Sequence, residues 1–386
     1  MQHSHSSITL KHFRRFGWAA AAVFVGQSVL AEAPGTQADA VVRSAMRTHQ
    51  IPGVSLGVIR DGHLIKSTGY GWANVELRVP VSAASLFQSG SVAKQFTATA
   101  VMMLVQEGKI ALDDPVSKYL PEAHAAAWGE ASVRQLLSHT AGIPDIFGEL
   151  DETSYTKGIL DFRRDYSEEE LLRTYLALKL DFKPGEKWNY SNTGYEILGF
   201  LIHRVTGEFY GDFLQKRIFG PLSMRSTRII SEEDIVPNRV SGYRIIGGKL
   251  KNQEWIAPSL NTTADGGLYT NVIDLAKWDA ALYTEKLLPR PMLAEMWAPV
   301  RLNSGETYPY GFGWELGAVN AHPLIYHTGS NQGFYISIAR YLQDRLTVIV
   351  LTNLDSSHSI PLEIAEKVAA AYIPALKVPP AAAPSD

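Results

Sequence analysis

Cysteine is absent from all 386 residues. Disulfides, thiolate zinc sites, iron–sulfur clusters, a cysteine nucleophile and a lipid-anchored cysteine are excluded with it. An excess of basic charge is absent too. Lys and Arg number 36 against 39 Asp and Glu, a formal charge of −3. That balance gives no indication of a nucleic-acid-binding surface. Long apolar runs are also missing. The run Gly17 to Leu30 is about 14 residues, short of the roughly 20 that span a bilayer. There is no internal repeat and no recognisable domain linker. What remains, 46% hydrophobic and 19% charged, is the composition of a globular chain long enough to bury a sizeable core.

Lys11, Arg14 and Arg15 precede the apolar run, and Ala31, Ala33 and Pro34 follow it. Basic, apolar, then small is the pattern of an export leader. Residues 1–31 are therefore assigned to a signal peptide, with Ala33 as a second cleavage position and an uncleaved anchor as the alternative. Cleavage after Ala31 removes three positive charges and no negative ones, moving the formal charge from −3 to −6. An acidic, cysteine-free exported chain suits a bacterial periplasm or cell exterior, with no membrane span after cleavage.

Gly53 to Ile59 reads as a strand, Asp61-Gly62 as a hairpin turn and His63 to Tyr70 as the return strand. From Val92 to Val105 the apolar spacing becomes helical, with Gly108 as its C-cap. Residues 109 to about 260 look mainly helical with long loops, including Leu171 to Leu178 and Tyr195 to Val205. Asn271 with Asp274 opens a helix over Val272 to Tyr283. Strand patterns return at Leu324 to His327, Phe334 to Tyr341 and Leu346 to Thr352, with Gln343-Asp344 between the last two. Ile360 to Tyr372 reads as a final helix, and residues 374–386 as a mobile Pro/Ala-rich tail. Strands early and late with helices between predict an α+β domain over residues 32–373. One antiparallel sheet comes from both chain ends, and a helical subdomain at roughly 109–260 packs against it, leaving a cleft at the junction.

Four segments carry residues capable of chemistry. Gly53-Val54-Ser55-Leu56-Gly57 fits G-x-S-x-G, but a hairpin follows it where a nucleophile elbow needs a helix, so it reads as strand. Ser91-Val92-Ala93-Lys94 is an S-x-x-K opening a helix. Residues three apart on a helix face each other, so hydroxyl and amine can meet. Apolar neighbours would desolvate Lys94 and lower its pKa, making a neutral amine accessible. Tyr190-Ser191-Asn192 lies after the turn signal Lys183-Pro184-Gly185 and before a helix. His327-Thr328-Gly329-Ser330 ends a strand, where Gly329 would let a substrate approach closely and the Ser330 N–H would face a reacting carbonyl. Taken singly, a capping serine with a solvated lysine, and an ordinary loop, explain the second and third.

In this order, S-x-x-K, Y-S-N and H-T-G together resemble the serine β-lactamase and penicillin-binding-protein superfamily. The chain is most similar to the branch holding class C β-lactamases, D-alanyl-D-alanine carboxypeptidases, D-aminopeptidases and esterases (serine peptidases of the S12 type). The resemblance runs over roughly residues 40 to 372. It includes Leu136-Leu137-Ser138-His139-Thr140-Ala141-Gly142-Ile143-Pro144-Asp145, Asp265-Gly266-Gly267-Leu268-Tyr269 and Tyr310-Gly311-Phe312-Gly313-Trp314.

The resemblance implies a β-lactamase/transpeptidase-like fold and two-step acyl transfer with no metal and no cofactor. It makes Ser91 the acylated nucleophile, Lys94 its proton acceptor and Tyr190 the second acid/base. Asn192 would bind the substrate's acyl amide, and the N–H groups of Ser91 and Ser330 would form the oxyanion hole. His327, Thr328 and Gly329 would contact the substrate. The partner is a small-molecule or peptide substrate, and the oligomeric state is left unassigned. His139, His203 and His358 read as structural or without a nameable partner, Asp265 as loop-shaping, and Trp314 as either cleft lining or core.

Two departures narrow the branch. No E-x-x-L-N string occurs, which argues against the class A β-lactamases. His327 stands where most β-lactamases carry Lys, and an ordinary histidine is mostly neutral at pH 7. The first reading is an exported serine hydrolase of D-amino-acid peptides or cell-wall fragments, like a D-alanyl-D-alanine carboxypeptidase. Position 327 then supplies less fixed positive charge for a substrate carboxylate than a Lys would, and His327 would have to be protonated to hold one. The alternatives are an esterase of the same family, a class C-like β-lactamase, and a penicillin-binding sensor that acylates once.

Overall fold

The computed structural model describes residues 33–147, 160–230, 233–355 and 360–378. The expected leader over residues 1–31 and His358 lie outside the described residues.

Helix α1 (Pro34–His49) opens the described chain, where the sequence pattern assigns nothing. Its buried positions are Ala38 and Val42, too narrow an apolar stripe to read in advance. β1 (Gly53–Arg60) and β2 (His63–Asn74) follow as expected. Asp61 and Gly62 take φ of 51° and 79°, the paired positive values of a tight hairpin turn. A 3-10 turn, Gly90–Ala93, leads into α2 (Lys94–Gln106). Every residue of α2 from Lys94 to Leu104 is buried, so this is a core helix without a polar face. Gly108 sits beyond its end at φ 70°.

α3 (Asn192–Thr206) begins at Ser191, whose Oγ accepts the Gly194 N–H at 3.2 Å, and ends at left-handed Gly207. α4 (Val272–Ala281) is capped by Asn271 accepting from the Asp274 N–H, as that residue pair predicts. Then come β3 (Glu315–Val319), β4 (His322–Asn331), β5 (Phe334–Tyr341), β6 (Leu346–Thr352) and α5 (Ile360–Tyr372). With the short strand Val79–Pro80 they complete one antiparallel sheet in the order β3-β4-β5-β6-β1-β2-(79–80). The two chain ends meet at its centre, where Val54 pairs with Thr352.

Helices cover both faces. Val54, Leu56 and Val58 of β1 join Ala38 and Val42 of α1 and Ile364 and Val368 of α5 in one core. The alternate residues face a larger core containing Phe96, Val272, Ile336 and Ile349. Gly57 is on that second face, where a Cβ would stand 3.0 Å from Val272 Cβ. Glycine there is what lets α4 lie close on the sheet. Ser55 is fully buried in this strand, which agrees with reading G-x-S-x-G as strand. One ion pair crosses the same interface. Arg340 of β5 donates to Asp279 of α4 at 2.6 Å, and Thr347 adds a bond to the same oxygen at 2.8 Å.

The region 109–260 differs in part from expectation. It holds the helices Val133–Leu137, Glu168–Leu176, α3 and Tyr210–Leu214, but also a hairpin of Tyr243–Ile246 with Lys249–Asn252. Its turn is Gly247-Gly248, with φ of 57° and 71°, a hairpin signal that the short polar flanks obscure. The tail also begins later than predicted. Pro374–Leu376 form a 3-10 turn with Leu376 buried, and Asn320 Nδ2 holds the Ala375 and Lys377 carbonyls at 2.8 Å each. Residues 379–386 lie outside the described set.

Arg340 is 0% exposed and Asp279 1%. Asp279→Ala strands that guanidinium, so a urea melt should show a loss of about 3–5 kcal/mol. Pairing Asp279→Leu with Arg340→Met should recover most of it.

Candidate active site

Ser91 lies within the 3-10 turn before α2, packed against the end of β4. A Cβ on Gly329 would stand 2.1 Å from Ser89 O and 3.0 Å from Ser91 N; one on Gly90 would stand 2.6 Å from Ser330 N. The turn and the strand therefore meet backbone on backbone, which only glycine permits at both positions. This contact sets the Ser91 and Ser330 main chains side by side, as an oxyanion hole built from those two N–H groups requires.

Lys94, one turn along, projects into the same corner. Its Nζ donates to Ser91 Oγ at 3.2 Å, Asn192 Oδ1 at 2.6 Å and the Asp265 carbonyl at 2.9 Å. The rings of Tyr190 and Tyr195 lie 4.9 and 5.4 Å from the amine. Burial pulls its pKa down to about 8, while Asp265, Asp145 and Glu196 pull the other way. About a tenth of the amine is then neutral at pH 7.

Asn192, at the head of α3, sits between Lys94 and Asp145. Its Oδ1 accepts a hydrogen bond from Lys94 Nζ, and its Nδ2 donates to the two Asp145 oxygens at 3.2 and 3.0 Å. It lines the cleft, but both amide atoms already have partners, so the expected hydrogen bond to a substrate amide competes with these. Asp145 was visible only as the last residue of the Leu136–Asp145 string, with no role attached. Burial raises its pKa, against the Phe147 N–H, Lys94 and Asn192.

The Tyr190 ring packs on His139 at 4.2 Å. Its buried hydroxyl makes no well-formed hydrogen bond in the resting site. Burial pushes the phenol well above 10, and the neighbouring Ser91 works in the opposite direction. Tyr190 is thus a neutral acid at pH 7.

His327 is neutral, and it is held further from its charged form than an ordinary histidine. It is 2% exposed, and burial, reinforced by the Lys94 charge, lowers its pKa to about 3. Both ring nitrogens are committed inside the protein. Nδ1 lies 2.6 Å from the Thr328 carbonyl and Nε2 lies 2.9 Å from the Tyr310 hydroxyl. On the far side, Tyr310 meets His139 Nε2 at 3.1 Å, and the Ser191 N–H donates to His139 Nδ1 at 3.1 Å.

The two ends of this chain dictate every proton in it. Ser191 N–H only donates, so His139 Nδ1 is bare and Nε2–H donates to Tyr310. The Thr328 carbonyl only accepts, so His327 carries its proton on Nδ1 and its Nε2 receives the Tyr310 O–H. Both histidines are neutral, and His139 is held well below 6.5 by burial and by Lys94. Three separate motifs are joined here, linking the start of α3 to the end of β4.

These groups border a cleft of about 500 Å³, also lined by Phe147, Leu260, Thr328 and Tyr335. Among the described residues its acidic lining is Asp145, Asp265, Glu315 and Asp355, and apart from the buried Lys94 behind Ser91 no lysine or arginine lines it. Asp265 does more than shape a loop, since its carbonyl holds Lys94. Trp314 is wholly buried core, and His203 pairs with Glu168 at 2.9 Å. Among the described residues no helix is long and apolar enough to cross a membrane.

The family model described as Beta-lactamase matches residues 38–372. Penicillin-binding protein 4* of Bacillus subtilis is 29% identical over 324 residues, covering 79% of this chain and 68% of that protein. Protein flp of Staphylococcus aureus is 27% identical over 333 residues, covering 83% of this chain and 64% of its own. The chain thus spans about two thirds of the length of these curated relatives. The structure of the octameric penicillin-binding protein homologue from Pyrococcus abyssi is 28% identical. It matches with a TM-score of 0.76, over 88% of this chain and 77% of that one.

Tyr310→Phe removes the hydroxyl at the middle of the His139–His327 chain. Two buried ring nitrogens lose their partner, so stability in urea should fall by about 2 kcal/mol or more. The fold should persist, since the ring stays.

Proposed function

The chain belongs to the Beta-lactamase family, within the serine β-lactamase and penicillin-binding-protein superfamily. From that premise we propose that it is a serine acyl hydrolase of esters or amides whose leaving side bears no carboxylate. The contact between Ser91 Oγ and the buried Lys94 amine carries the reading.

The neutral fraction of Lys94 takes the Ser91 proton as Oγ attacks the acyl carbon. The Ser91 and Ser330 N–H groups receive the charge that develops on the carbonyl oxygen. Tyr190 gives its proton to the departing alcohol or amine and is restored from Lys94, leaving the acyl-enzyme with Lys94 neutral. Water then attacks the acyl carbon with Lys94 and Tyr190 taking its proton, and Ser91 leaves protonated.

The substrate class follows from charge. A carboxypeptidase acting on a free terminal carboxylate needs a cation beside the third motif. His327 is neutral and, apart from the buried Lys94 behind Ser91, no lysine or arginine among the described residues lines the cleft. This favours the esterase reading, with amides lacking a leaving-side carboxylate as the other substrates the same chemistry would take. The leader pattern at residues 1–31 supports export, which N-terminal sequencing of the secreted protein would check.

Ser91→Ala should lower turnover roughly 10³-fold or more, with no acyl adduct in the intact mass. Neutral esters or amides should exceed D-Ala-D-Ala peptides at least about tenfold in kcat/KM, and the reverse ranking overturns the substrate reading.

The pH profile has a defined sign. Lys94 must lose its proton to act as base, so kcat/KM should rise with pH through about 8. The groups facing that amine are Asp145, Asp265, Glu196, Tyr190, Tyr195, Ser91 and Asn192. A step near 6.5 confined to carboxylate substrates would put charge on His327 and refute its neutral assignment.

A further inference from the structure

A second cavity, of about 370 Å³, adjoins the catalytic cleft and shares Tyr190 and Glu315 with it. The Ser91 chemistry makes no use of it. Its other main walls are the rings of Trp188, Tyr308, Tyr310 and Tyr326. Trp188 and Tyr308 stack face to face at 3.9 Å and 12°, and Trp188 stands 5.7 Å from Tyr310 and 6.4 Å from Tyr190. Among the described residues Glu315 supplies its only carboxyl, and no lysine, arginine or histidine lines it. The partners of Glu315 are the Tyr326 side chain and the Thr328 backbone N–H, neither of them a cation.

Aromatic faces carry negative potential, and several rings around one carboxylate make a pocket suited to a positive charge. A compact ammonium gives up its water reluctantly. A quaternary or alkylated ammonium gives up much less, and its methyl groups fill apolar walls. The position within the site is also defined. Tyr190, which hands its proton to the departing group, is the wall between this pocket and the cleft.

We propose that the Trp188–Tyr308–Tyr326–Glu315 pocket is a leaving-group subsite for an alkylated ammonium, so that the preferred substrates carry such a cation on the alcohol or amine they release. This rests on Ser91 being the acyl-transfer nucleophile. Glu315 and the rings act by binding, not by touching the reacting bond.

The test uses two esters of one acyl group: the choline ester and its uncharged carbon isostere, the 3,3-dimethylbutyl ester. They match in shape and differ in charge. The choline ester should be favoured about tenfold in kcat/KM, with the gain in KM. Glu315→Gln should bring the ratio toward one while keeping both polar contacts of that side chain. Tyr308→Ala, at an exposed position, should do the same. Equal kcat/KM for the two esters, with turnover lost in Ser91→Ala, overturns the subsite and leaves the hydrolase reading standing. If neither ester turns over, the hydrolase reading fails for this substrate class and calorimetry with tetramethylammonium decides the pocket. Saturable binding that Glu315→Gln weakens tenfold supports it; no binding, or binding indifferent to Glu315, overturns it.

Discussion

An amine sealed from water at the head of a core helix sets the terms for everything around it. Lys94 is wholly buried behind Ser91, so its charge is answered locally. Asn192 and the Asp265 carbonyl accept two of its protons and Ser91 the third. Asp145, Asp265 and Glu196 supply negative potential from three different segments. Burial raises Asp145 and drives Glu196 well above 4.5, with Tyr175 donating to the Glu196 carboxyl. The result is an amine poised between its two protonation states, which a solvated lysine at the same spacing would not be.

That single positive charge also explains the rest of the polar machinery. A second cation within reach of Lys94 would be repelled, and water is excluded, so both histidines stay neutral. Neutral imidazoles are then free to serve as directional links. The His139–Tyr310–His327 chain holds the two walls of the cleft with protons whose positions are dictated by main-chain groups at either end. The His327 ring is accordingly a strut inside the wall, with both nitrogens engaged by protein groups, while Thr328, Gly329 and Ser330 line the cleft beside it.

Much of this was legible from sequence, for identifiable reasons. The sheet from both chain ends follows from period-two runs and from Asp61-Gly62, signals that depend on neighbours in the chain. The Ser91–Lys94 pair was legible because three residues on a helix is a fixed distance. What stayed hidden depends on contacts between distant segments. Asp145 gains its role only through Asn192, and Tyr310 only by standing between two histidines from other motifs. The neutrality of His327 at pH 7 was legible from its residue type, but how firmly it is held neutral was not, because burial decides that, and burial is a property of the assembled core. The helix α1 and the Gly247-Gly248 hairpin were missed because their apolar patterns are weak. The aromatic pocket is made from a loop near Trp188 and strands far along the chain, so no local spacing announces it.

The pairing of β1 with β6 has a consequence for timing. Val54 finds its partner only when Thr352 has been synthesised, and the Gly90–Ser330 contact likewise awaits the last quarter of the chain. Until then β1 has one open edge and the Ser91 corner lacks its second backbone wall. A growing polypeptide therefore holds no assembled acyl-transfer centre on the ribosome. Long-range closure of this kind is slow. Activity arises only once the two ends have arrived in the same place.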